Sequence, residues 1–196
     1  MTLLNTILEN DFLVKTSSYI GWIGTLGILF GYLKVSMGHW DGENRIYLLL
    51  NLVSSILIIY GSVFLGALQP IFFNAFFGII SILGLFSLKF PGLKLEEKGF
   101  LTISVVVFAL LLIQSGDLIG AMGSVSVVLF IGSYLLFTQS RISEKEFLSN
   151  NVLANFCYIW ILLETNNTFG VFLVAVTTLI AGFGLMSIKK NKVFCS

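Results

Sequence analysis

A few polar side chains lie within long apolar runs of this chain, and their amides, hydroxyls and indole could hydrogen-bond a neutral molecule. A polar side chain inside a bilayer needs a protein partner or water. We therefore expect these groups to face the interior of a helix bundle, where they could line a path and bind a small neutral polar solute. The candidate substrate-binding residues are Asn51, Asn74, Asn155, Tyr158, Trp160 and Thr178.

These polar residues have a second interpretation, which the sequence leaves open. They could join neighbouring helices by hydrogen bonds worth about 0.6 kcal/mol each on average. The glycines of the first apolar run have two interpretations as well. Gly27 and Gly31 form a GxxxG pair that allows close helix packing, and hinge bending is the alternative.

The residues available for other chemistry are few. The chain has one histidine and two cysteines, Cys157 and Cys195, so we expect no metal site, no disulfide and no cofactor. No carboxylate, lysine or histidine lies deep in an apolar run, which argues against ion coupling. We expect no enzyme, and hence no catalytic residues, because a catalytic triad cannot be assembled around a single loop histidine. A net charge of +1 gives no indication of a nucleic-acid partner.

The composition predicts an all-α integral membrane protein whose first partner is the lipid bilayer. Hydrophobic residues make up 57% of the chain and charged residues only 11%, against roughly 25% charged residues in soluble domains. Hydropathy and loop punctuation predict seven transmembrane helices. They cover residues 18–35, 46–65, 69–88, 99–115, 119–138, 147–164 and 168–188. Residues 1–17 read as an amphipathic helix on the membrane surface or as a frayed terminus, and residues 189–196 as a cytoplasmic tail.

The basic residues sort by loop in agreement with seven spans. Alternate loops lie on opposite sides of the membrane, and Lys15 is the only lysine or arginine of the eleven on its side. The positive-inside rule then places the N-terminus outside and the C-terminus in the cytoplasm. We expect a bacterial cytoplasmic (inner) membrane. The basic residues of the opposite side are Lys34, Arg45, Lys89, Lys94, Lys98, Arg141, Lys145, Lys189, Lys190 and Lys192.

The two ends of the apolar region resemble each other. The sequence from Gly84 to Lys89 matches the one from Gly184 to Lys189, at an offset of 100 residues, and other matches have offsets of 102 and 104, the last pairing Asn51 with Asn155. Duplication of a three-helix unit explains these matches, and coincidence in an apolar sequence is the alternative. Duplication gives two three-helix bundles, residues 18–88 and 119–188. The single linker helix, residues 99–115, would make them parallel (3+1+3).

This arrangement resembles the SWEET and PQ-loop superfamily, which is built from two parallel three-helix bundles. In SWEET-like carriers, asparagines on the third and seventh helices and tryptophans on the second and sixth contact the substrate. Asn74 and Trp160 stand on suitable helices, whereas the seventh span offers Thr177 and Thr178 and the second span has no tryptophan. The Pro-Gln pair of the PQ-loop group is missing from the first and fifth spans. Residues 47–52 and 74–78 also resemble small uncharacterised bacterial membrane proteins with one three-helix unit.

The sequence therefore predicts a membrane transporter, a facilitative carrier of a small neutral polar solute. It would work by rocking of the two bundles, without ion coupling. The alternative is a non-transporting receptor or scaffold subunit on the same fold, and an enzyme built on loop residues ranks third. A homodimer through the glycine-rich first span is possible under either of the first two hypotheses.

Overall fold

The computed structural model describes residues 11–64, 68–88, 118–164 and 168–193, and over these residues the protein is all-α. The chain forms six helices there. They are α1 (Asp11–Ser36), α2 (Arg45–Phe64), α3 (Leu68–Leu85), α4 (Leu118–Thr138), α5 (Glu144–Glu164) and α6 (Thr168–Val193).

Six of the seven predicted spans match these helices to within a few residues. The larger differences are at the N-terminal end of α1 and the C-terminal end of α6, where the helices are longer than predicted. The predicted linker helix, residues 99–115, lies outside the described residues, as do residues 1–10. Residues 11–17, which we predicted to be part of a separate amphipathic segment, continue without a break into α1. Residues 189–193 of the predicted tail extend α6.

Side chains fix the starts of α2 and α5. The Asn44 side-chain oxygen accepts the backbone N–H groups of Ile46 and Tyr47 at 3.0 and 3.1 Å, which caps α2. At α5, Ser143 and Glu146 form a capping box. The Ser143 backbone N–H donates to Glu146 Oε2 at 2.6 Å and the Glu146 N–H donates to Ser143 Oγ at 3.3 Å. Both helices therefore begin where polar residues meet an apolar run.

Three helices end in the same backbone motif. After α1, α3 and α4 the chain places Gly38, Ser87 and Ser140 in the left-handed region, with φ of 68°, 52° and 53°. In each case the N–H of that residue bonds the carbonyl three residues back and the next N–H bonds the carbonyl five back, as in a Schellman cap. This turn stops the helix and satisfies two of its last carbonyls.

The chain divides into two compact units. Unit 1 consists of residues 1–31 and 44–88, and unit 2 of residues 32–43 and 89–196. The described helices of unit 1 are α1 up to Gly31, α2 and α3, and those of unit 2 are α4, α5 and α6. The end of α1 and the loop after it, residues 32–43, therefore group with unit 2, although we predicted residues 18–88 as one bundle.

Contacts within unit 2 explain this grouping. The Tyr32 ring packs edge-on against Phe147 of α5, with ring centroids 5.9 Å apart. Gly42 lies directly against the backbone of Phe137, and a Cβ on Gly184 of α6 would lie 2.8 Å from the Ser36 carbonyl oxygen. Glycine at positions 42 and 184 permits these close approaches.

Within unit 1, glycines bring α1 close to α2. A Cβ added to Gly24 would lie 2.6 Å from the Ser54 carbonyl oxygen, and one added to Gly27 would overlap the Ser54 hydroxyl. A Cβ on Gly31 would lie 3.3 Å from the Tyr47 ring. These contacts support the packing interpretation of the GxxxG pair.

The helices present apolar surface on the outside. Three described helices, Arg45–Phe64, Leu118–Thr138 and Val171–Ile188, are long and apolar enough to cross a membrane by length and composition, and Pro70–Leu85 is a shorter apolar helix. On α2 the outward stripe follows the heptad spacing of one helix face. Soluble monomers rarely expose large contiguous apolar patches, and the described helices are consistent with a helical membrane protein. The exposed stripe of α2 is Ile46, Leu49, Val53, Ile56, Tyr60 and Val63.

The two units repeat the same internal contacts. A Cβ on Gly84 would lie 3.0 Å from Leu48, and one on Gly184 would lie 2.8 Å from Leu148, so the same pair recurs 100 residues later. The outward residues of α3 and α6 follow the same offset: Phe72 with Phe172, Ile79 with Leu179, and Phe86 with Met186. The Schellman caps of Gly38 and Ser140 recur at 102 residues. The internal repeat is therefore visible in packing as well as in sequence.

Candidate functional site

Unit 1 holds two of the candidate residues, Asn51 on α2 and Asn74 on α3. Both side chains are buried. The Asn51 amide donates to the Tyr47 carbonyl and the Asn74 amide to the Pro70 carbonyl, each at 2.9 Å and each four residues back on its own helix. One N–H of each amide therefore donates to a carbonyl of its own helix.

Unit 2 contains the other four candidates, and one of them, Asn155, makes a polar contact between helices. The Asn155 amide of α5 donates to the Thr177 hydroxyl of α6 at 3.1 Å. Thr177 donates in turn to backbone carbonyls of its own helix, and Thr178 donates to the Val174 carbonyl at 2.7 Å. This arrangement matches the interhelical role that the sequence left open for Asn155.

Tyr158 and Trp160 lie apart from this contact. The Tyr158 ring packs edge-on against Phe130 of α4 at 6.3 Å. Trp160 is 44% exposed and packs edge-on against the exposed Phe156, on the outward stripe of α5. Its counterpart at the 100-residue offset, Tyr60, is also exposed. Aromatic residues at this register suit the membrane interface better than an inward binding surface.

The hydrogen bonds change the pairing of the two repeats. The sequence pattern paired Asn51 with Asn155, 104 residues apart. The structure shows Asn151 donating to the Phe147 carbonyl at 2.7 Å, which repeats the bond from Asn51 to Tyr47 at an offset of 100. Asn151 is thus the counterpart of Asn51, and Asn155 is the counterpart of Ser55.

Four buried polar atoms have no hydrogen-bond partner among the described residues. Such groups are rare in native proteins and mark places where something else can bind. In a membrane protein the signal in the sequence is weak, because serine and tyrosine are common in apolar helices. The atoms are the Tyr32 hydroxyl, the Ser55 hydroxyl, Glu144 Oε1 and Asn150 Nδ2.

Unit 2 also has a cleft of about 310 Å³ between the loop after α1 and the α4–α5 turn. Phe137 forms one wall, and Asp41, Arg141 and Glu144 contribute charges of both signs. Burial raises the pKa of the Glu144 carboxyl above its ordinary value. Over the described residues, no group of three or more histidine, cysteine, aspartate or glutamate side chains is placed to hold a metal ion.

Comparison with known proteins gives one partial match. A protein-family model matches residues 17–90, a stretch that begins in α1 and ends just after α3. No curated protein and no solved structure matches the chain. The matched stretch therefore covers the three helices that begin the chain and stops before residues 99–115.

Proposed function

We propose that the protein is a facilitative carrier of a small neutral polar solute, built from two copies of a three-helix unit in a bacterial cytoplasmic membrane. The observation that carries the proposal is the repeated packing of Leu48 on Gly84 and of Leu148 on Gly184. Transporters are often built from such repeats, with the solute bound near the midplane where the repeats meet.

The extent of the family match supports a three-helix unit as the building block. It covers residues 17–90, and the described helices of that stretch are α1, α2 and α3. In the proposed topology the chain crosses the membrane seven times in a 3+1+3 layout. Residues 99–115 supply the single linker span, the N-terminus lies outside and the C-terminus in the cytoplasm.

The polar chemistry of the helices supports an uncharged solute. Every buried polar residue that the structure describes is a serine, threonine, asparagine or glutamine. Burial of an ion without a charged partner costs several kcal/mol, so these groups suit hydroxyl and amide ligands better than ions. Asn51 and Asn74 are the proposed contacts, because both are buried amides whose described hydrogen bonds go to their own helices and not to a neighbouring helix.

Flux into proteoliposomes tests the proposal. Purified protein is reconstituted, and entry of glycerol, urea, glucose and sucrose is followed by light scattering after an osmotic step. We expect saturable flux of at least one solute above that of protein-free vesicles. The variant Asn74→Val should reduce this flux, because it removes the proposed amide contact. Valine is chosen because Val174 occupies the same buried register of α6. Absence of flux for every solute refutes carriage.

One observation favours a receptor or scaffold subunit as the second candidate. The hydrogen bond from Asn155 to Thr177 joins α5 to α6 within unit 2, as expected of a static core. Under this alternative the purified protein shows no flux but co-purifies from its native membrane with a second membrane protein in a fixed ratio.

A further inference from the structure

Unit 1 and unit 2 differ in an interhelical hydrogen bond between the second and third helix of each unit. In unit 2 the Asn155 amide reaches from α5 to Thr177 of α6. In unit 1 the counterparts are Ser55 on α2 and Phe77 on α3. Serine is shorter than asparagine, and phenylalanine offers no hydroxyl. The hydrogen bond that joins the two helices in unit 2 therefore has no equivalent in unit 1.

The Ser55 hydroxyl is left without a partner as a result. Its side chain is 0% exposed, and no described residue hydrogen-bonds its Oγ. Several serines and threonines in these helices donate to a carbonyl three or four residues back, as Ser81 does to Phe77 at 2.8 Å. Ser55 makes no such bond. An apolar membrane interior offers this group no compensation, so a polar partner would be bound favourably here.

Gly78 of α3 leaves space beside this hydroxyl. A Cβ added to Gly78 would meet nothing closer than 3.8 Å, where it would touch Leu52 and Ser55. The counterpart Thr178 carries a side chain and donates to its own helix in unit 2. Ser55 and Gly78 thus form a small notch between α2 and α3, which we call the Ser55 notch. In unit 1 the notch has room for about a methyl group and its hydroxyl is closed to solvent, whereas Thr178 carries a side chain at this position in unit 2.

We propose that the Ser55 notch is a binding subsite for an uncharged hydroxyl or amide group, and that unit 1 alone provides it. This proposal rests on the proposed carrier function, whose solute would place such a group there. A serine hydroxyl both donates and accepts, so it can bond either group. The described neighbours of the notch, Leu52 and Gly78, carry no charge and favour a neutral ligand. Ser55 is then a residue that determines specificity.

Cysteine labelling tests whether the notch opens to water, whatever the protein transports. Ser55→Cys and Ser81→Cys are each made in a chain carrying Cys157→Ser and Cys195→Ser. Ser81 is the matched control, because it is equally buried, lies in the same unit and bonds its own helix. With a water-soluble methanethiosulfonate in proteoliposomes, the cysteine at position 55 should react about tenfold faster or more than the one at position 81, because the proposed subsite must open to admit a solute, whereas a thiol that stays buried is inert.

Protection of this label tests binding. Glycerol, urea, glucose or sucrose at high concentration should slow labelling at position 55, at least for one of them. In flux assays, Ser55→Ala should raise the half-saturation concentration of that solute about 5- to 10-fold, as expected for loss of one hydrogen bond. Ser81→Ala should leave it unchanged, since Ala181 fills that register in α6.

Two results overturn the Ser55 notch. The first is equal, slow labelling at positions 55 and 81, together with a higher melting temperature for Ser55→Ala, which would show a dry core. The second is fast labelling that none of the four solutes slows, which would show water alone. Failure of the carrier function is distinguishable, because it abolishes flux in the unsubstituted protein, whereas fast and protectable labelling would still support a ligand site.

Discussion

The close approach at Gly184 gives the sharpest test of the packing, because its repeat partner Gly84 serves as an internal standard. At Gly84 an added Cβ meets only the Leu48 methyl groups, at 3.0 Å, and a leucine end can move. At Gly184 the Cβ meets Leu148 at 2.8 Å and also the Ser36 carbonyl oxygen at 2.8 Å. The Ser36 backbone carbonyl cannot move aside as easily as the end of a leucine side chain.

These distances give different free energies of unfolding for the same substitution. Alanine in place of glycine inside a helix gains about 1 kcal/mol. Overpacking a tight contact costs about 1–3 kcal/mol. For Gly84→Ala the two terms roughly cancel, because the leucine moves. For Gly184→Ala the net loss should be about 1–2 kcal/mol, or roughly 2–8 °C in melting temperature for a chain of this size.

Thermal unfolding of the purified protein in detergent measures the difference. Gly182→Ala on the same helix is the control, because a Cβ there meets nothing within 4 Å. It should leave the melting temperature unchanged or raise it. The reasoning is refuted if Gly84→Ala destabilises as much as Gly184→Ala, or if Gly182→Ala destabilises more than either.

Three further tests concern the cap, the half-buried Glu144 carboxyl and the outward stripe, with Glu146→Gln as the control for the second. Ser140→Gly should raise the melting temperature by a few degrees, because a non-glycine residue in the left-handed region costs about 1 kcal/mol and the repeat has Gly38 there; no change would contradict the strain. Burial raises the folded-state pKa of Glu144, so the folded protein holds this proton more tightly than the unfolded chain and stability falls as pH rises above the ordinary glutamate pKa. Glu144→Gln should therefore stabilise the folded protein more at about pH 8 than at about pH 5. The control Glu146→Gln weakens the capping box and should destabilise the folded protein at about pH 8. Melting curves of both variants at the two pH values test this. Trp160→Leu should leave solute flux and its saturation unchanged, and a change in half-saturation would return Trp160 to the binding surface.

The helices were predictable because their limits are written in the sequence. Asn44 and the Ser143–Glu146 pair precede apolar runs, and such residues cap helices by a local mechanism that needs no tertiary information. The N-terminal limit of α1 was not predictable in this way. Residues 11–17 carry charges that favoured a separate surface segment, and the structure continues the helix through them.

The register of the repeat could not be settled from sequence alone. An asparagine between apolar residues occurs near both position 51 and position 155, and similarity of type paired them. The bonds to Tyr47 and Phe147 and the contacts of Leu48 and Leu148 fix the offset at 100. Register depends on packing partners far apart in sequence, and a pattern of apolar letters does not record them.

The candidate residues also differ in how well the sequence could place them. Helical spacing alone would have placed Trp160 with Phe156 and Leu163 on one face, at intervals of four and three residues, which is the outward stripe. The sequence pattern did not predict that the Ser55 hydroxyl lacks a partner. That property depends on how α2 packs on α3, where Phe77 offers no hydroxyl and Gly78 has no side chain.

Because residues 32–43 pack with unit 2, the contacts of this segment form late in the synthesis of the chain. The ribosome delivers α1 first, yet Tyr32, Ser36 and Gly42 make contacts with residues made at least ninety positions later. These contacts at the end of the first helix can form only after α5 and α6 have been synthesised. A chain truncated after residue 98 would therefore leave that tip and its loop frayed, and adding the missing half as a separate polypeptide should restore their protection from protease.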